Sequence, residues 1–244
     1  MFLSRISLLA KFYYMIELLS RTMSLFDVRF YDFNVHLIPE SQDSLIIFAS
    51  EAKRYGYSGI AIVNSKLDSV ENIPANFSVY RSVEISCRSS KLRDEIKKYR
   101  GSAEILIARG GDEEFNRAAV ETAGLDILLQ PAKFNHVLAK AAYDNSVAIG
   151  FNAGSIIRLR GDARIRELRM MRTNLKYTRK YGLAMLLTGT PSSRYDIRSP
   201  REMAALASLF GMTEEEAVGS MSAAPLDILR RKSPDYIQEG IEII

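Results

Sequence analysis

The chain has 244 residues, 47% of them hydrophobic, with 33 Lys and Arg against 29 Asp and Glu and a formal charge of +4. This balance describes an ordinary folded protein able to bury a core without staples, and it excludes a low-complexity or strongly charged disordered chain. The single cysteine, Cys87, excludes an internal disulfide, and the two histidines, His36 and His136, leave little imidazole for a multi-metal centre.

Residues 1–22 carry Arg5, Lys11, Glu17 and Arg21 and neither Gly nor Pro. Lys11 and Glu17 cut the apolar runs too short for a membrane span, and no small-residue cleavage site follows, so neither a membrane anchor nor a secretory leader is expected. We read 1–22 as an extension, either a loosely attached helix or the product of an upstream start, since Met23 is a natural beginning. A single domain is expected over 23–232, with 233–244 as a tail of undecided conformation. A reduced lone Cys87, read as a buried structural thiol, fits a cytoplasmic protein.

The first strand is Phe30-Tyr31-Asp32-Phe33-Asn34-Val35, where apolar and polar residues alternate, followed by His36 and a Pro39 that ends the ladder. Ser41 is placed to cap a helix through Arg54 that ends at Gly56. Residues 59–63 are apolar on both faces, as a buried parallel strand should be. A polar stretch over 64–76 leads to a third strand at 79–87. Ser90 is expected to cap a charged helix at 91–99, and 104–108 is a fourth strand closed by Arg109-Gly110-Gly111.

The unit repeats. Asp112 caps a helix to residue 123, a strand covers 126–129, Asn135 caps a helix to Asp144, and 147–151 is a sixth strand. A long helix spans 162–181 and stops at Gly182, followed by a strand at 183–187. Ser199 and Pro200 open a helix to residue 210, Thr213 and Glu216 form a capping box, and Pro225 begins a last helix to Arg231. Seven strands alternating with helices predict a parallel α/β domain, best closed as a small TIM-like (β/α) barrel, with an open doubly wound sheet as the other solution. Neither a dinucleotide-binding glycine motif nor a P-loop is present. On a barrel the working face lies at the strand C-terminal ends, which here carry His36, Asn64, Arg88, Arg109, Gln130, Asn152 and Thr188.

Several blocks together resemble the RNase P protein component 3 family, archaeal relatives of the thirty-kilodalton subunit of eukaryotic RNase P. They are Phe30 to Val35, Arg109-Gly110-Gly111-Asp112 to Val120, Gly124 to Leu128, Asn135-His136-Val137-Leu138-Ala139-Lys140, Arg158 to Asn174, and Thr188 to Pro200, with Gly211-Met212 and Ala224-Pro225. The resemblance covers about residues 29–231. It implies a barrel related to the polymerase and histidinol phosphatase superfamily and a role in removing 5′ leaders from precursor tRNA. It further implies that the RNA subunit carries the catalytic site and requires Mg²⁺, while the chain binds no cofactor. The implied partners are RNase P RNA, precursor tRNA, component 2 and other RNase P proteins.

Metalloenzymes of that superfamily begin with Asp-x-His-x-His, where this chain has Asp32-Phe33-Asn34-Val35-His36, and carry His-Pro-Gly where it has Gln130-Pro131-Ala132. An Asn amide is a poor ligand for zinc-like ions, so Asp32, Asn34, His36 and Gln130 are read as a degenerate former metal site. His136 is expected inside a helix, facing Lys140. A divergent metal-dependent phosphoesterase is the alternative function, and the histidine count argues against it. A barrel that binds protein alone is a third reading.

Charge placement is the stronger functional signal. Nine basic residues lie between 158 and 180, opposed by Asp162 and Glu167 alone. On a helix, Leu168, Met171, Leu175 and Thr178 share one face, and Arg169, Arg172, Lys176 and Lys180 form a stripe beside it. With Arg158 and Arg160 and the strand-end cations Arg88, Arg109, Lys133, Arg194 and Arg198, these are the candidate RNA-binding residues. Internal ion pairs of Arg109 and Arg198 with Asp112, Asp126 or Asp196 are an equal alternative. No aromatic-rich strand offers a base-stacking platform, so recognition of backbone and shape is expected.

Overall fold

The structure is a computed structural model that describes residues 28–38, 41–65, 72–232, 236–238 and 241–242. The extension at 1–22, the alternative start at Met23 and the strand-ending Pro39 lie outside the described residues.

Seven parallel strands, β1 (Phe30–Val35), β2 (Tyr57–Val63), β3 (Ser78–Ile85), β4 (Ile105–Arg109), β5 (Ile127–Leu129), β6 (Ala148–Asn152) and β7 (Met185–Thr188), pair strictly in chain order. Helices α1 (Gln42–Arg54), α2 (Ser89–Tyr99), α3 (Glu113–Glu121), α4 (His136–Asp144), α5 (Ala153–Arg158), α6 (Gly161–Tyr181), α7 (Pro200–Ser208), α8 (Glu214–Met221) and α9 (Ala223–Arg231) cover the outside. Inward residues Tyr31, Phe33, Ala61, Ile105, Ile107, Ile127, Leu129, Ala148 and Leu186 fill the barrel, and outward Leu106, Leu128, Ile149 and Leu187 pack under the helices. The fold is therefore a TIM-like barrel of seven strands, nearly closed. At the end where the strands begin, Ile228 of α9 plugs the interior, and Lys232 pairs with Asp126 at 2.6 Å.

Local chemistry explains most element boundaries. The side chains of Ser41, Asp112, Asn135, Ser199 and Thr213 accept backbone N–H bonds at their helix starts, as their positions predict. Ser90 does not: α2 begins at Ser89, and Arg88 stands at its N-cap without a side-chain bond. Residue 183 is not strand, because Gly182 turns left-handed (φ 64°) and the Leu183 N–H returns to the Thr178 carbonyl to finish α6. The expected helix to residue 210 stops at Ser208, where the Leu209 and Phe210 N–H groups bond carbonyls three residues back. Cys87 is half-buried and not a core thiol. In the tail, Tyr236–Gln238 pairs antiparallel with Ile241–Glu242.

Helix α5 stands where the sequence pattern predicts no element. Asn152 ends β6 and caps α5 through Ser155 N at 3.2 Å, and Gly154 brings the helix against the β7 exit. A methyl group on Gly154 would overlap the Gly189 carbonyl oxygen. Gly154→Ala is expected to cost about 2 kcal/mol in urea unfolding, because backbone cannot yield as a side-chain tip can. An unchanged midpoint would refute that close approach.

Candidate functional site

At the strand C-terminal ends, polar side chains bond one another across the barrel mouth. β1 carries a register shift between Asp32 and Val35, and the Asn34 N–H folds back to Asp32 Oδ1 at 3.1 Å. The irregularity splits the expected polar trio. Asp32 turns to β7, where Thr188 Oγ1 donates to its Oδ1 and Gly189 N to its Oδ2 (2.9 Å). Asn34 and His36 turn instead to β3. Burial raises the Asp32 pKa, opposed by the bonds from Thr188, Gly189 and Asn34 N and by nearby His36.

Glu84 of β3 is the hub of the other half. Its side chain is 7% exposed and accepts Arg109 Nε at 2.7 Å and Nη2 at 3.2 Å, together with Asn34 Nδ2 at 2.7 Å. His36 Nε2 stands 3.6 Å away, within ion-pair range but beyond a hydrogen bond. Burial pushes the Glu84 pKa up, but His36, Arg109 and Asn34 outweigh it and hold the carboxyl at about 2. Such a group contributes stability that is present above its ordinary value and lost as pH falls through about 2. Glu84→Gln is therefore expected to cost about 2 kcal/mol at pH 7, with the gap to wild type closing below about pH 4.5. Urea titrations of both chains across pH check this; a gap independent of pH would refute it.

Gln130 holds a third cluster. Its backbone is left-handed (φ 56°), its Oε1 accepts from Asn152 N at 2.8 Å, and its Nε2 donates to Glu167 Oε1. Ser155 Oγ donates to the same Glu167 oxygen at 2.8 Å. Gln130 thus links β5, β6 and α6. Among the described residues, no three His, Cys, Asp or Glu side chains are grouped to hold a metal. Asp32 and Gln130 are already engaged by hydrogen donors and by neighbouring elements, so the side chains do not fit a multi-metal hydrolytic centre. His136 lies in a helix as expected, as the exposed first residue of α4.

The cations divide into engaged and open groups. Arg109 pairs with Glu84, not with Asp112 or Asp126, because Asp112 caps Phe115 N and Asp126 holds Lys232. Arg198 gives Nη1 to the carbonyls of Tyr195 and Ile197, both at 2.8 Å, and Asp196 is bound instead by Ser192 and Ser193. Arg158 donates to the Gly189 carbonyl at 3.2 Å and to Thr190 and Asn152, tying α5 to the β7 exit. Arg160 reaches the Ile157 carbonyl at 2.7 Å. Arg88 and Lys133 are exposed and unpaired among the described residues.

On α6, Met171, Asn174, Leu175 and Thr178 are buried, whereas Arg169, Arg172, Lys176 and Lys180 are all exposed in one stripe. Leu168 is half-buried against the core. Arg172 gives one N–H to the Leu209 carbonyl at 2.9 Å, and Lys180 lies 5.6 Å over the Tyr181 ring. Arg169 and Lys176 have no side-chain partner among the described residues. The neighbouring Arg179 is neutralised by Glu216 through bonds of 2.7 and 2.6 Å. Of the apolar residues at the α7 exit, Met212 is core, while Leu209 is exposed.

Sequence reasoning missed Glu84, Ser155, Glu167 and Thr190 as parts of this network. The available signal for Glu84 was its place in β3, two residues after Ser82 on the same strand face.

The fold and its mouth define a seven-stranded (β/α) barrel whose strand ends are occupied by internal polar bonds and whose flank carries an open cationic helix. The family model for RNase P subunit p30 matches residues 29–234. The chain belongs to this family, that of ribonuclease P protein component 3. It is 40% identical to ribonuclease P protein component 3 of Methanococcoides burtonii over 229 residues, 88% of this chain and 93% of the relative. Its identity to the Methanosarcina mazei protein of the same description is also 40%, over 88% and 95% of the two chains. A chain in a cryo-EM structure of archaeal ribonuclease P with mature tRNA superposes with a TM-score of 0.71 at 26% identity, covering 88% of this chain and 97% of that one. Aspergillus niger ochratoxinase shares the fold alone, with a TM-score of 0.60 at 12% identity over 82% and 71% of the chains.

Proposed function

We propose that the chain supports the catalytic RNA of ribonuclease P in removing 5′ leaders from precursor tRNA. It does so by binding RNase P RNA, precursor tRNA, component 2 and other proteins of the enzyme, and it contributes no catalytic residue of its own. The observation that carries the RNA-binding part is the exposed stripe of Arg169, Arg172, Lys176 and Lys180, where two of the four cations have no partner among the described residues. Cations left unpaired on a rigid helix gain by displacing the counterions of a phosphate backbone. Arg88 and Lys133 extend the same chemistry to the strand ends, whereas Arg109, Arg158, Arg160, Arg194 and Arg198 also serve internal bonds.

The Mg²⁺ requirement belongs to the RNA subunit in this reading. The acting unit is the barrel, 23–232, with 1–22 an extension and 233–244 a tail. No described helix is long and apolar enough to cross a membrane, and we assign the protein to the cytoplasm. The test is reconstitution from RNase P RNA and its proteins with and without this chain, followed by precursor-tRNA cleavage at low Mg²⁺. Cleavage should fall sharply without the chain. Equal cleavage would defeat the proposal.

A further inference from the structure

We propose that Tyr195 is a nucleobase-stacking site, taking an unpaired base of bound RNA onto its exposed ring while Arg194 and Arg198 meet the adjoining phosphates. The proposal rests on the RNA-binding reading above and assigns it a second kind of contact. Tyr195 is 73% exposed, more than any other described large apolar residue. It lies in a 3₁₀ turn, Arg194–Asp196, between β7 and α7.

Such exposure costs free energy in isolation, yet the turn is rigidly built. Asp196 accepts from Ser192 N and Ser193 N at 3.2 and 3.0 Å, and Ser193 Oγ accepts from Tyr195 N at 3.3 Å. The Pro191 carbonyl accepts the His36 N–H at 2.9 Å, and Tyr57 donates to the Arg198 carbonyl at 2.9 Å. The loop is therefore anchored to β1 and β2.

The ring itself is oriented. Arg194 lies over it, 4.8 Å from guanidinium carbon to centroid, and donates Nη2 to the Tyr195 hydroxyl at 2.7 Å. One face is thus covered by a cation, while the residue as a whole stays 73% exposed. Arg198 bonds the Tyr195 carbonyl from the chain side. Among the described residues, neither arginine has a carboxylate within ion-pair distance. Glu51 and Glu202 act on Arg194 and Arg198 only from beyond contact. A fixed aromatic plane beside two guanidiniums that lack a direct carboxylate partner complements an unpaired nucleotide: the base has a π-face to stack and the backbone has charge to neutralise. An apolar protein partner would desolvate both guanidiniums and put no anion in contact with them, whereas phosphates do.

The chain has no tryptophan, so Tyr195→Trp creates a single reporter at the site. The full-length variant is titrated with a single-stranded RNA oligonucleotide, with RNase P RNA, and with inorganic polyphosphate, while binding of labelled RNA is followed by anisotropy. The expected result is saturable quenching by both RNAs and none by polyphosphate, which carries charge without bases. In the reconstituted enzyme, Tyr195→Ala should weaken RNA affinity by about tenfold with the salt dependence unchanged, and Tyr195→Phe should restore it. Unquenched emission with normal RNA binding overturns the stacking site and leaves the RNA-binding function standing. Emission changed by the other protein components without RNA overturns it in favour of a protein contact. Absence of RNA binding by the wild-type chain and its complex overturns both readings.

Discussion

Asp32→Ala should lower the unfolding free energy by about 3 kcal/mol, a fall in melting temperature of about 6–12 °C for a barrel of this size. The strand order runs from β1 to β7, and no ladder joins those two ends in the described residues. The seam is held instead by the buried Asp32 carboxylate, which accepts from Thr188 Oγ1, Gly189 N and Asn34 N, and by the His36 N–H to the Pro191 carbonyl. Removing the carboxylate leaves two buried backbone donors and the Thr188 O–H without acceptors, although the Thr188 oxygen keeps the Thr190 N–H. Asp32→Asn keeps one acceptor oxygen but sets an N–H against the Gly189 or Thr188 donor, so roughly half the loss is expected.

The pH dependence separates charge from shape. Burial holds the folded pKa of Asp32 above its ordinary value. Its contribution is therefore complete below the unfolded pKa and declines as pH rises through the folded one. The stability difference between wild type and Asp32→Asn should be largest in mild acid and shrink toward neutrality, with the Glu84 contribution cancelling because both chains carry it. Denaturant unfolding across pH measures this. A difference that grows with pH would show that the carboxylate is stabilised as an anion, contrary to its burial.

Replacing Arg169, Arg172 and Lys176 together with Ala is expected to weaken assembly with RNase P RNA by about a hundredfold near 0.1 M salt. The slope of log affinity against log salt should fall by about three. Each cation lost leaves one phosphate with its counterion, so the effect is electrostatic and shrinks as salt rises. Stability should change little, because all three residues are exposed and only Arg172 makes an internal bond, to the Leu209 carbonyl. A weaker complex should also demand more Mg²⁺ for precursor cleavage. Arg179→Ala is the internal comparison. Arg179 is already neutralised by Glu216, so its loss should cost helix packing without moving the salt slope. Salt slopes identical for the triple variant and wild type would remove the stripe from the interface.

Much of the element order was readable because its causes are local. The caps at Ser41, Asp112, Asn135 and Thr213 act within three residues of themselves, and each stands where the pattern placed it. Strand ends were less readable. β4, β6 and β7 each run one residue further than their apolar runs, to Arg109, Asn152 and Thr188, because ladder partners on neighbouring strands set those ends. α5 was hidden by Gly154 and by the break at Leu159-Arg160-Gly161, and its support comes from Asn152 and from the β7 exit.

The amino-acid order alone determined the alternating parallel α/β class and the cationic stripe of α6, since both follow from fixed periods of two and 3.6 residues. The resemblance read from its motifs pointed to the family that the comparisons then established. The use of the polar strand ends was decided only in three dimensions. Asp32 meets Thr188 across 156 residues, and Asn34 meets Glu84 across 50. A hydrogen bond depends on distance and direction between atoms, and spacing along the chain carries neither at such separations. The nearly closed barrel brings these groups together, and it turns what reads as a metal motif into a seam at β7 and an ion pair at β3.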